Sequence, residues 1–237
     1  KRSKDGLSGY WNLNLLNEKI FYREFSIHRS ERVNRFLEST AELTLPSDNS
    51  RFYLMSQYII DLKDGSHNSA VAQRLPEFGY VVNPSRLGPL VFSMTSDASN
   101  FARDKGVSGQ RLDIYPKFSH SFGDKVIIFQ NLGLRETVYS LQDNAAEGFK
   151  SSVHREMFDY NITASSRLIK KYGENLTHGI EPSLGYTFVP WIKKDEVHVP
   201  LFDSTDLYAK QSSIGLSLTN RLLDKKGEFL TVSVSES

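Results

Sequence analysis

Phe158-Asp159-Tyr160-Asn161-Ile162-Thr163-Ala164-Ser165-Ser166-Arg167 is the stretch that decides the fold. Phe158, Tyr160, Ile162 and Ala164 take alternate positions, with Asp159, Asn161, Thr163, Ser165 and Arg167 between them. Successive side chains of an extended strand point to opposite faces, so this segment has one apolar and one polar face. A helix would scatter the same residues around its axis. A tilted strand of about this length is what crosses the hydrocarbon of a bilayer.

The same alternation recurs along the chain. Leu37, Ala41, Leu43 and Leu45 oppose Glu38, Thr40, Glu42 and Thr44, and Phe52, Leu54, Tyr58, Ile60 and Leu62 oppose Arg51, Gln57 and Asp61. Leu112, Ile114, Pro116 and Phe118 oppose Arg111, Asp113, Lys117 and Ser119; Ile180, Leu184, Tyr186 and Phe188 oppose Glu181, Ser183, Gly185 and Thr187. Ile214, Leu216 and Leu218 oppose Ser213, Gly215, Ser217, Thr219 and Arg221, and Leu230, Val232 and Val234 oppose Thr231, Ser233 and Ser235. The segment 126–139 is less regular, because Gln130 falls on the face of Leu132 and Leu134, and a bulge there would shift the phase. A weak helical pattern over 31–41 gives way to the alternation that follows it. A strand pair around Tyr10–Leu16 and Ile20–Ile27 brings the expected total to about twelve strands.

Connections alternate in length. Short turns are expected at 46–49, 83–86, 123–125, 172–175 and 224–227, and longer polar links near 63–76, 99–109, 141–152 and 190–209. Short turns at one end and long loops at the other are the rhythm of outer-membrane barrels. The expected strands also exceed the ~5–6 residues usual in soluble sheets. The expected fold is therefore all-β: an antiparallel transmembrane β-barrel piece, a single domain over 1–237 that is incomplete at both ends.

Composition agrees. Basic and acidic residues number 29 and 28, so net charge points to no polyanionic partner, and the scattered Lys and Arg make no nucleic-acid patch. A mean hydropathy of −0.40 would be too polar for a helical membrane protein, and no apolar run is long enough for a helical span. Barrel strands need apolar residues only at alternate positions, so their average looks soluble. Tyr and Phe number 11 and 15, and both residue types populate strands and barrel girdles. The absence of cysteine removes thiol chemistry, and Lys1-Arg2-Ser3-Lys4-Asp5 is not a secretion signal.

Catalytic patterns are weak, and neither a cofactor nor a metal is expected. His178 and Glu181 lie three apart, which puts them on opposite faces of a strand. Asp203 and Asp206 form a carboxylate pair in a polar link beside Lys193, Lys194 and Asp195; a cation site or glycosidase pair is conceivable, but a solvated loop is the simpler reading. Asn161-Ile162-Thr163 and Asn175-Leu176-Thr177 match sequons of a kind that chance supplies often, and Gly106-Val107-Ser108-Gly109 lacks the flanking elements of a phosphate loop.

The polar face carries more information. Arg111, Lys117, Arg135, Arg167 and Arg221 stand against Glu38, Glu42, Asp61, Asp113, Asp159 and Glu181, with Ser, Thr and Gly between. Mixed signs suit a hydrated interior for a large polar cargo better than an ion-selective pore. The lumen-facing candidates are Arg111, Asp113, Lys117, Arg135, Asp159, Arg167, Glu181 and Arg221. The lipid-facing candidates are Leu112, Ile114, Phe158, Tyr160, Ile162, Leu184, Tyr186, Phe188, Leu216 and Leu218.

Several short stretches follow one another in order: Gln73-Arg74-Leu75-Pro76-Glu77, Arg111-Leu112-Asp113-Ile114-Tyr115-Pro116 and Gly133-Leu134-Arg135-Glu136-Thr137-Val138-Tyr139. His178-Gly179-Ile180-Glu181-Pro182, Tyr186-Thr187-Phe188-Val189-Pro190 and Asn220-Arg221-Leu222 complete the set. Together they resemble the barrel domain of the LptD (organic solvent tolerance) family of lipopolysaccharide-assembly proteins. The resemblance implies a non-enzymatic outer-membrane translocon of Gram-negative cells, with a barrel of roughly 26 strands. It further implies a plug lipoprotein, LptE, and a periplasmic N-terminal domain that receives lipopolysaccharide from a bridge of similar domains. The lipid would leave sideways between the first and last strands. This chain would then supply about half the barrel wall, from its middle, with the N-terminal domain, the closing strands and the family's disulfide cysteines outside it. Two other functions fit the residues alone: a diffusion porin or outer-membrane receptor, and a soluble all-β binding module.

Overall fold

The computed structural model describes residues 6–16, 18–19, 21–25, 34–63, 68–142, 148–190, 198–207 and 209–236. They form one antiparallel sheet of twelve strands: β1 (Ser8–Asn12), β2 (Phe36–Pro46), β3 (Ser50–Asp61), β4 (Gln73–Leu87), β5 (Leu90–Ala102), β6 (Ser108–Phe122), β7 (Val126–Gln142), β8 (Ser152–Ser166), β9 (Leu168–Tyr172), β10 (Leu176–Val189), β11 (Gln211–Asp224) and β12 (Gly227–Glu236). Neighbours in sequence are neighbours in the sheet, except that β10 pairs with both β8 and β9. The exception is one of naming. Ser183 faces Ser165 and Ile180 faces Leu168 in a single register, so β9 prolongs β8 past a break at Arg167. In that register Glu181 falls opposite Arg167 and Pro182 opposite Ser166, and Pro182 has no N–H to give the ladder.

The short turns are 47–49, 88–89, 123–125, 173–175 and 225–226, and the longer connections leave from the opposite ends of the strands. Gly123 shows why one turn needs its residue: φ is +100°, and a Cβ would lie 2.0 Å from the Val126 carbonyl oxygen.

Three local expectations are corrected. The turn placed at 83–86 is a bulge inside β4: the β4–β5 register shifts between Val82 and Ser85, and the chain reverses at Gly88–Pro89 instead. Pro84 cannot donate to a ladder, and a bulge accommodates it as well as a turn does. Strands also run further into the polar links than expected, β4 starting at Gln73 and β5 continuing to Ala102. The strand expected over Ile20–Ile27 is absent among its described residues, where Phe21–Phe25 forms one helical turn. Its positions 20, 26 and 27 lie outside the described residues, as do 31–33 of the weak helical pattern.

Register sorts the faces. Leu184 pairs with Ala164 and Leu216, Tyr186 with Ile162 and Ile214, and Phe188 with Tyr160, so the apolar residues form continuous cross-strand rows. No bulge interrupts β7 against β8. Gln130 therefore does stand on the apolar face, where it donates to His120 at 3.5 Å and accepts from the Tyr160 hydroxyl at 3.0 Å.

Burial is inverted relative to a soluble domain. The buried apolar residues are Phe101, Val107, Tyr139, Leu141 and Val153, whereas Glu77, Arg111, Asp113, Thr137, Arg155 and Asp206 are among the buried polar ones. Leu184, Leu216, Leu218 and Val234 are exposed by 43–68%. Soluble monomers rarely expose contiguous apolar patches above a few hundred Å².

Candidate functional site

Buried Glu77, Ser99, Arg111, Asp113, Thr137 and Arg155 sit on one face of β4–β8, toward the long connections. Arg111 on β6 is at their centre and is 2% exposed. Its Nη1 donates to Asp203 Oδ1 at 2.7 Å and Asp206 Oδ1 at 3.1 Å, and its Nη2 to Asp203 Oδ2 at 2.9 Å and Asp97 Oδ1 at 3.3 Å. Arg74 also reaches Asp203, and its Nη1 lies 3.2 Å from Glu77. Arg74 and Glu77 are three apart yet share a face, because the β4–β5 register shifts between them: Arg74 faces Phe101 and Glu77 faces Ser99. Glu77 accepts from Tyr53 at 2.8 Å and Ser99 at 2.7 Å.

Two residues further along β6, Asp113 accepts from Arg135 on β7 at 2.9 and 3.1 Å and from Thr137 at 2.8 Å. Tyr115 donates to Asp159 at 2.5 Å, and Lys117 and Arg135 both lie over the Tyr115 ring. Gly133 makes room for this pair, since a Cβ there would lie 2.3 Å from Asp159 Oδ2 and 2.7 Å from the tyrosine ring.

The described part of the connection from β10 to β11 covers this face. Residues 198–207 lie on it, with a 3-10 turn at Ser204–Asp206 capped by Asp203, whose carboxylate accepts from Thr205 N at 2.8 Å. Asp206 accepts from the backbone N–H groups of Phe202 and Asp203 and from the Tyr139 hydroxyl. Arg155 on β8 donates to the carbonyls of Asp206 at 3.1 Å and Thr205 at 2.8 Å. Phe202 stacks on Phe101 with centroids 4.3 Å apart, and Val199 and Phe149 pack on Val107, Tyr139, Leu141 and Val153. Burial works against ionisation of Asp203, but the hydrogen bonds and charge of Arg111, with Arg74 behind it, prevail and hold its carboxyl below the usual range.

The Asp203–Asp206 pair is thus neither a free cation site nor a solvated loop. Guanidinium groups and backbone donors fill its lone pairs, and it anchors the connection to the sheet. Lys193, Lys194 and Asp195 lie outside the described residues.

A second polar group lies on the same face nearer the short turns. Glu181 accepts from Arg167 at 2.6 Å and Arg221 at 3.2 Å, and Arg221 continues to Glu228 at 2.8 Å. His178 is on the other face, 3.3 Å from Asn220, as the three-residue spacing requires.

All eight polar candidates fall on one face and the ten apolar candidates on the other. Arg111, Asp113, Lys117, Arg135 and Asp159 join the first group, and Arg167, Glu181 and Arg221 the second. Asp97 and Arg155 escaped sequence reasoning, and Arg74, Glu77, Thr137 and Tyr139 entered it only through the resemblance, not as polar-face candidates. Arg74 and Glu77 need the bulge to meet. Arg155 is flanked by His154 and Glu156, so both faces look polar there, although Val153, Arg155, Met157 and Asp159 do alternate in phase with the strand that follows.

A profile of the family described as "LptD: LPS transport system D" matches residues 1–237. The chain belongs to the LptD family. It is similar to the LPS-assembly protein LptD of Nitrosospira multiformis, at 25% identity over 214 residues, covering 84% of this chain and 22% of that protein. The chain therefore spans about a fifth of the length of the curated relative it matches. The family's description is one of lipopolysaccharide transport. In this LptD-family chain the stretches that carried the resemblance converge in space: Arg74, Glu77, Arg111, Asp113, Tyr115, Arg135, Thr137 and Tyr139 build the first polar group, and Glu181 and Arg221 the second.

Proposed function

We propose that this chain forms part of the wall of an outer-membrane β-barrel that delivers lipopolysaccharide to the outer leaflet, with its polar face to the lumen and its apolar face to lipid. The inverted burial supports this most directly. Apolar rows of β8, β10 and β11 lie exposed while guanidinium and carboxylate groups are buried on the other face. Such a sheet is stable where hydrocarbon covers one side and water or protein the other. Sheet edges are not tolerated in hydrocarbon, so on this reading the edges at β1 and β12 are paired within a closed barrel. Lipopolysaccharide as cargo rests on family membership. On this reading the partners are those of the family: a plug lipoprotein of the LptE kind, a periplasmic bridge that delivers the lipid through an N-terminal domain, and membrane lipid around the wall.

Depletion of the full-length protein in its own cells tests the cargo. Newly made lipopolysaccharide should stop reaching an impermeant surface label, while uptake of small solutes persists. Unchanged surface lipopolysaccharide with lost solute uptake would instead establish a diffusion porin.

A further inference from the structure

On the apolar face, toward the long connections, stands a group of side chains that lipid contact does not explain. Glu136 on β7 faces Glu156 on β8 directly in the register, and His154 lies two residues away on the same face as Glu156. Like charges placed opposite one another destabilise a strand pair. One ligand atom from each of Glu136, His154 and Glu156 lies within 4.8 Å of the others. His154 Nε2 contacts Glu136 and is 3.9 Å from Glu156 Oε1. Two residues at i and i+2 on one strand and one across from them define three corners of a coordination shell, and a diagonal neighbour is within reach of a glutamate. The side chains are 39–75% exposed, which leaves them rotamer freedom to close on an ion and leaves the outer side open.

We infer that Glu136, His154 and Glu156 form a three-ligand site for a divalent transition ion of the zinc class. The donor set selects the ion. An imidazole with two carboxylates suits zinc-like metals, whereas oxygen-only sets suit calcium and magnesium. Three protein ligands leave a coordination position open for water or an outside oxygen. The ion offsets the repulsion between the two glutamates. It also removes negative charge from a part of the wall that, if the proposed membrane orientation holds, faces anionic headgroups just beyond the apolar band marked by Phe158.

The test uses full-length protein purified in detergent, stripped with chelator and titrated with Zn²⁺ by equilibrium dialysis, with Co²⁺ as an optical probe. The variants are His154→Ala and the near-isosteric Glu156→Gln, both at exposed positions that leave the polar face untouched. Wild type should bind one zinc equivalent that each variant weakens at least about tenfold, and the visible Co²⁺ band should vanish in both. Heat-modifiable migration should match wild type in both variants, which ties the loss to the ligands rather than to unfolding. Equal zinc affinity in wild type and variants, or displacement of zinc by equimolar Ca²⁺, would overturn the assignment. Neither readout depends on lipid transport, so the site and the proposed function fail separately.

Discussion

Arg111 stands at the centre of the buried polar group. It holds Asp97, Asp203 and Asp206 together while almost fully buried. Removing one partner of a buried ionic group leaves the rest uncompensated, at a cost of about 3–5 kcal/mol. Arg111→Ala should therefore free residues 198–207 from the sheet, read as faster amide hydrogen exchange and new protease cleavage there in the full-length protein. Acid should act in the same direction. The Asp203 carboxyl titrates below its unfolded value of about 3.9, so its contribution is complete above that pH and is lost as pH falls through the lower folded value. Exchange in 198–207 should rise below about pH 4 in wild type and lose that dependence in Asp203→Asn. Most of this was beyond the reach of sequence pattern. Alternation places Arg111, Asp113 and Arg135 on one face because period two is local, but the partners at Asp203 and Asp206 lie about 90 residues away on an irregular connection that no periodicity describes.

At the scale of the element, strands were legible where one face is apolar throughout. β8 over 158–164, β10 over 180–188 and β11 over 214–218 follow their alternation, and paired rows such as Leu184–Leu216 result, while His178 and Asn220 interrupt the apolar face beyond them. Replacing Phe158 or Leu216 with Arg should impair assembly by ~2–4 kcal/mol near the bilayer midplane, seen as a lower yield of heat-modifiable barrel; equal yield would show that this face does not meet lipid. Bulges were less legible. Asn83-Pro84 reads as a turn because the residues that break a ladder also make turns, and only the continued pairing of Ser85–Leu87 with β5 distinguishes the two. Close approaches were not legible either. Tyr53 lies across Gly79, where a Cβ would fall 2.0 Å from its ring. Gly79→Ala should displace Tyr53 from Glu77 and cost about 1–3 kcal/mol, measurable as a lower urea midpoint.

The whole molecule is a sheet that buries charged residues on one face and exposes apolar residues on the other. The antiparallel order and most of the turn rhythm were readable from the chain, because each follows from local pattern, whereas strand ends were not, since β4 and β5 run on into the polar links. The sealed polar group beneath 198–207 was not, since it depends on a long connection folding back. The central claim, that one face meets hydrocarbon and the other does not, is tested most directly by spin labels introduced one at a time from Met157→Cys to Ala164→Cys in the full-length protein in liposomes. Power saturation compares collision with oxygen, which partitions into lipid, and with a water-soluble nickel chelate. The account predicts a period of two, with oxygen dominant at 158, 160, 162 and 164 and nickel or burial dominant at 157, 159, 161 and 163. Equal access of the nickel chelate to both sets would contradict it and return the chain to the soluble all-β proteins.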